Sequence, residues 1–275
     1  MKKKTLYYTL SAILVIVIGG IFFLNEPREH IPFQLEASDG KYGNGVIDID
    51  NNHYQTIIIG QQEWMTSNLK VTKYNDSTTI VYEPIDLDWQ NKSSGAYSIY
   101  PHQEIDGINS NEEVINAYGL LYNWKVVESG KVCPKGWRVP TLEDWEILIN
   151  YLINNYDDIS NDNLGNILKS CRQINSPLND NCNVLYHPRW NFSRSNFGTN
   201  DLGFNALPGG YRKIDGSYGS IGKAGLWWTF TKDIENPEFA KAIQLSYTTS
   251  DVRINNLFTL HGFSIRCLRD NPENQ

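Results

Sequence analysis

Between Tyr211 and Trp228 the chain interleaves aromatic rings with glycines and carries Arg212, Lys213 and Asp215 among them. Flat rings beside hydrogen-bonding side chains suit sugars, whose C–H faces stack on aromatics while their edges offer hydroxyls. Tyr211, Arg212, Tyr218, Trp227 and Trp228 are therefore the candidate ligand contacts. The competing reading makes the tryptophans core anchors. Successive side chains of a strand point to opposite faces, so one of Trp227 and Trp228 is expected to be buried and the other to face a groove or loop. Tyr218, between Ser217 and Gly219, is expected to be the exposed ring.

Other residues that could do chemistry fail on spacing. Asp48-x-Asp50-x-Asn52 begins like a calcium loop, which then requires Gly at its sixth position and an acid at its twelfth. Here those positions hold His53 and Ile59, so a hairpin turn is expected instead. His30, His53, His102, His187 and His261 form no H-E-x-x-H pair, and no G-x-S-x-G elbow occurs. Glu143, Asp144 and Glu146 lie at a helix start, where the dipole accounts for them. No catalytic residue, metal ligand or cofactor is nominated.

The four cysteines are Cys133, Cys171, Cys182 and Cys267, with no C-x-x-C among them. An even count in an exported chain reads as two disulfides. Three connectivities exist. Cys171 and Cys182 are near enough to close a local loop, which leaves Cys133 to pair with Cys267.

What must position these residues is a 275-residue chain with 40% apolar and 20% charged residues, a globular balance. A formal charge of −7 argues against a nucleic-acid partner, since neutralising phosphates needs a basic surface. Lys2, Lys3 and Lys4 precede an uncharged, mainly apolar run from Leu6 to Leu24. As a helix that run spans about 28 Å, close to the hydrocarbon thickness of a bilayer. The lysines place its start in the cytoplasm and the rest of the chain outside. An uncleaved signal anchor over residues 1–24 is expected. A cleaved signal peptide, giving a secreted protein, is the alternative, although no good small-x-small site follows Phe23; a buried core helix is a third. The membrane is then a partner through the N-terminal helix, and the domain sits in the cell envelope. A linker is expected over 25–44, one domain over 45–270 and a tail over 271–275.

Within the domain, Val46 to Ile59 alternates around Asp50-Asn51-Asn52, a hairpin, and Gly60 closes it. Residues 77–113 are polar and read as long loops with short strands such as Ala96 to Tyr100. Pro140-Thr141-Leu142-Glu143-Asp144 starts the best helix, with Trp145, Leu148, Ile149 and Leu152 on one stripe. A shorter helix is expected around Leu164 to Cys171. Glycines then punctuate short strands up to a last strand at Gly262–Leu268. About two helices among strands and loops make an α+β domain rather than a βαβ repeat.

Several blocks resemble the Fibrobacter succinogenes major paralogous domain. They are Asp48 to Tyr54, Ile59-Gly60-Gln61-Gln62-Glu63-Trp64-Met65 with Asn68-Leu69-Lys70, Tyr118 to Trp124, Cys133-Pro134-Lys135-Gly136-Trp137-Arg138-Val139-Pro140-Thr141, Gly203 to Arg212, Leu226 to Thr229 and Gly262 to Asp270. They follow the family's order. The resemblance implies exported or surface proteins of Bacteroidetes and Fibrobacter-like bacteria. More distantly, Arg138 to Trp145 and the closing Gly-Phe…Arg strand look like formylglycine-generating enzymes and C-type lectins. That implies an irregular C-type-lectin-like domain with neighbouring termini and short antiparallel strands. Two functions follow: a non-catalytic binding or adhesion module, glycans being the candidate ligand, or an enzyme related to the formylglycine-generating type. The latter uses a cysteine pair to bind copper, and Cys267 has no nearby cysteine in sequence. The segments 77–113 and 171–182 follow no motif of the family.

Overall fold

The computed structural model describes residues 39–178 and 180–270. The expected anchor at Leu6–Leu24, most of the expected linker and the tail lie outside the described residues. Among the described residues no helix is long and apolar enough to cross a membrane.

The domain begins earlier than its sequence pattern indicates. Strand β1 (Lys41–Tyr42), inside the stretch expected to be a linker, pairs antiparallel with β4 (Thr56–Ile59). Between them β2 (Val46–Ile47) and β3 (His53–Tyr54) form a separate hairpin. Its turn is built by Asp48, whose Oδ1 accepts the Asp50 and Asn52 N–H groups, both at 2.9 Å. Its Oδ2 accepts the Tyr54 hydroxyl at 2.7 Å. Asp50 is taken by Thr72 and by Lys73 at 3.0 Å. The acidic spacing thus serves a turn, and its oxygens face protein donors. Strand β4 then turns at Gly60, φ 58°, into β5 (Gln62–Met65).

Residues 77–113, read as loop, hold more structure than their polarity suggests. They contain β6 (Val81–Tyr82), α1 (Asp86–Gln90), β7 (Ala96–Ser98) and the start of α2 (Asn111–Tyr118). Helix α2 is capped by Ser110, whose side chain accepts the Glu113 N–H. Then come β8 (Leu121–Tyr122), the short α3 (Trp124–Glu128) and β9 (Trp137–Arg138). Helix α4 (Leu142–Asn155) is the expected one. Thr141 and Asp144 form a reciprocal capping box, and Trp145, Leu148 and Leu152 are buried. Helix α5 (Leu164–Leu168) is also where its spacing placed it. Among the described residues five α-helices stand where about two were expected, because helices of five to eight residues leave little periodicity to read.

The remaining strands are β10 (Gly209–Arg212), β11 (Tyr218–Ile221), β12 (Ala224–Lys232), β13 (Phe239–Ser246), β14 (Arg253–Phe258) and β15 (Leu268–Arg269). One sheet runs β1-β4-β5-β15-β9 and a second β11-β10-β12-β13-β14. A third runs β6-β7-β8. The chain is therefore a mixed α+β domain with several, largely antiparallel sheets. Its ends meet in the first sheet, where Leu268 lies opposite Trp64. Cys133 bonds Cys267 beside that junction, S–S 2.04 Å, and Cys171 bonds Cys182, 2.03 Å. The expected last strand is shorter than its sequence pattern. Gly262, Phe263 and Ser264 bridge singly to Arg212, Tyr122 and Trp227, so this segment threads between sheets before pairing at β15.

The second sheet is covered on both faces. Trp228, Leu226, Ala240 and Ala242 join one apolar cluster with Phe263 and Ile265. Trp227, Ile243 and Leu245 join another with Trp64, Trp145 and Phe204.

Candidate functional site

That double covering decides the fate of the aromatic stretch. Trp227 and Trp228 do point to opposite faces, yet both are buried, at 1% and 0% exposure. Trp227 donates its indole N–H to Asn68 Oδ1 and Trp228 to the Tyr122 carbonyl, each at 2.8 Å. Neither faces a groove, contrary to the expectation for one of them. Arg212 is also fully buried. Its guanidinium lies between the rings of Trp89, 4.5 Å, and Tyr218, 4.9 Å. It donates to the carbonyls of Gly216 and Glu83 and to Asp86. Gly216, φ 90°, permits this approach, since a Cβ there would lie 2.4 Å from Asp86. Arg212 is thus a clamp between α1 and the β10–β11 hairpin. Tyr218, expected to be exposed, is half-buried against Tyr100, 5.2 Å between rings, and Tyr211 is half-buried against Phe263. The glycine-rich stretch reaches a surface groove through Ser220–Lys223, just beyond these rings.

That groove has a volume of about 290 Å³ and lies between three segments far apart in sequence. The turn after β7 supplies Tyr100, Glu104 and Asp106; the loop after the second disulfide supplies His187 and Arg189; the β11–β12 turn supplies Lys223. A second hollow of about 390 Å³ continues past His187, lined by Glu113 and Asn116 of α2 and by Tyr186. His187 lines both.

The 185–189 loop is held from several sides. Tyr118, the last residue of α2, meets His187 Nδ1 through its hydroxyl at 2.5 Å and accepts the Arg189 N–H at 3.1 Å. His187 Nε2 faces the Asp106 carbonyl at 3.0 Å, so Nε2 carries the hydrogen and Nδ1 accepts from Tyr118. Burial, then the charge of Arg189, pulls the imidazole below its ordinary pKa and keeps it neutral. Burial pushes the Tyr118 hydroxyl up to about 12. Both groups are held for hydrogen bonding rather than proton transfer. Arg172 donates to the Pro188 carbonyl at 2.7 Å and lies under the Tyr186 ring at 4.7 Å. Tyr186 itself is 66% exposed, a fixed ring presented to solvent.

Other buried titratable groups are consumed structurally. Lys169 donates to three carbonyls, Asn196 at 2.6 Å, Ser246 at 2.8 Å and Thr249 at 2.9 Å. Burial draws its pKa down to about 7, while three acceptors for three N–H groups favour the charged form. Arg266 stacks on Phe204, 4.6 Å, and donates to its carbonyl; burial lowers it to about 9. No group of three or more His, Cys, Asp or Glu that could hold a metal occurs among the described residues.

Sequence reasoning missed Tyr118, Tyr186, His187 and Arg189 as site residues. The one available signal was the dense Tyr186-His187-Pro188-Arg189 run just after Cys182, which has no periodicity and no motif. No curated protein and no solved structure matches this chain. Residues 57–269 match the model of the Fibrobacter succinogenes major domain, and they hold the second and third sheets, Cys133–Cys267 and the groove; the chain belongs to that family.

Proposed function

We propose that this domain is a non-catalytic binding module of the cell envelope, displayed outside the cytoplasm, that recognises glycans in the groove around His187. The observation that carries the reading is the preorganised 185–189 loop. It presents the exposed Tyr186 ring in the hollow that adjoins the polar cleft at His187, and the loop is fixed by Tyr118 and Arg172 before any ligand arrives. An aromatic platform with fixed polar neighbours suits a sugar ring, and preorganisation lowers the cost of binding. The two disulfides support an oxidising compartment. The enzyme reading has less support. Cys133 and Cys267, the cysteines nearest the resemblance to formylglycine-generating enzymes, are joined in a buried disulfide and are not available as a ligand pair.

A glycan array probed with the purified full chain and with Tyr186→Ala tests the reading. Binding of a defined saccharide that is lost in the variant, with an unchanged melting temperature, is the expected result. Binding that Tyr186→Ala leaves intact would move the site elsewhere, and an array without signal would sink the glycan assignment.

A further inference from the structure

The groove lining carries charges of both signs. Glu104 and Asp106 come from the turn after β7, and Arg189 and Lys223 from the other two segments. Arg189 is 9% exposed. Its Nε donates to the Leu185 carbonyl at 3.0 Å, and its terminal nitrogens have no hydrogen-bond or ion-pair partner among the described residues. This sets it apart from the other deeply buried arginines. The fork of Arg212 is held by carbonyls and Asp86, and that of Arg266 by two carbonyls and Asn68, although the Arg266 Nε has no partner. Most of the Arg189 side chain is buried, while its unmatched fork stays open at the groove, where a ligand's oxygens can take the place of water. Lys223 on the neighbouring turn also makes no ion pair among the described residues, and its exposed side chain adds a second positive charge to the groove.

We infer that Arg189 and Lys223 form an anion subsite in this groove, and that the ligand is an acidic saccharide whose carboxylate or sulfate oxygens accept from the Arg189 fork. A planar guanidinium pairs with such groups through two parallel hydrogen bonds. The same lining completes the match, because Glu104 and Asp106 are acceptors for sugar hydroxyls while repelling a second negative charge placed beside them. A saccharide therefore lies across the groove with its anionic group on the Arg189 side and its hydroxyls toward the carboxylates. This inference rests on the glycan reading above and narrows it to one class of sugar.

The test uses the full chain against an array of matched pairs at low ionic strength. The pairs are uronate oligosaccharides and their methyl esters, sialylated and desialylated glycans, and sulfated and desulfated ones. Binding confined to acidic members, weakening as salt rises, is expected. For the saccharide bound, Arg189→Gln should weaken binding at least about tenfold. Since Arg189 also supports its loop, Lys223→Gln is the second variant. It lies on the surface, should leave the melting temperature unchanged, and should weaken binding about twofold to fivefold while flattening the salt dependence. Equal binding of the neutral partners, or acidic-ligand affinity untouched by Lys223→Gln at low salt, overturns the anion subsite while leaving the glycan reading in place. Binding to neutral saccharides alone does the same. An array with no signal for either kind removes both.

Discussion

The Tyr118 hydroxyl and His187 Nδ1 lie 2.5 Å apart although 69 residues separate them, and this contact fixes the loop that carries Arg189 against the end of α2. Tyr118→Phe removes the oxygen that also accepts the Arg189 N–H, leaving a buried donor without its partner. A loss of about 1–3 kcal/mol in unfolding free energy is expected. Saccharide affinity should fall as well, because the loop is no longer held in one position. Chemical denaturation of both proteins measures the first effect, and an unchanged midpoint would show that the contact stabilises nothing.

The two disulfides should contribute unequally. Cys133–Cys267 spans 134 residues and Cys171–Cys182 spans 11. In the chain-entropy picture these separations correspond to about 5 and about 3 kcal/mol. The double serine variant of the long bridge should therefore lower the melting temperature more than that of the short one. Cys171→Ser with Cys182→Ser should instead act mainly on the nearby 185–189 loop, seen as faster proteolysis there. The reverse order of melting temperatures would contradict this assignment.

Asp144 gives the domain an acid-sensitive tie. Burial alone would raise its pKa, but the Arg138 pair, at 2.5 and 2.8 Å, and the Thr141 N–H outweigh it and hold the carboxyl below its ordinary value. A carboxylate with a depressed folded pKa adds stability that is present above its unfolded pKa and is lost as the pH falls through the folded value. Asp144→Asn should cost about 1–3 kcal/mol at neutral pH. It should also flatten the decline of the melting temperature below about pH 4. A parallel acid decline in both proteins would show that Asp144 does not carry it.

Lys169 ties the end of α5 to the loops at Asn196 and at Ser246–Thr249 through three carbonyls. Lys169→Met keeps the volume of the stem and leaves those oxygens without their donor. A loss of at least about 3 kcal/mol is expected. Hydrogen exchange should report the damage first in residues 246–251. A variant as stable as the parent would show that water replaces the ammonium at no cost.

Much of this protein is written locally. The Thr141–Asp144 cap, the Asp48 turn, the Gly60 hairpin and the α5 stripe each depend on residues within a few positions of one another, so their types and spacing specify them. The pairing of Cys171 with Cys182 follows from a short loop, and the pairing of Cys133 with Cys267 is then all that remains. The ordered family blocks are equally legible, because they are read as strings.

Burial and the groove are decided elsewhere. Alternation along β12 correctly sends Trp227 and Trp228 to opposite faces, but whether a face meets solvent depends on what other elements lay on it. Phe263 covers one side and α4 with Phe204 the other, so neither ring is free. The groove joins Tyr100, Arg189 and Lys223, brought together only when the β11–β12 turn, the loop after the second disulfide and the turn after β7 converge. No local pattern encodes that convergence. Arg212 and Arg189 look alike in sequence, yet one is a fully satisfied clamp and the other an unmatched cation facing a cleft, because partners supplied from distant parts of the chain determine what a guanidinium is left to do.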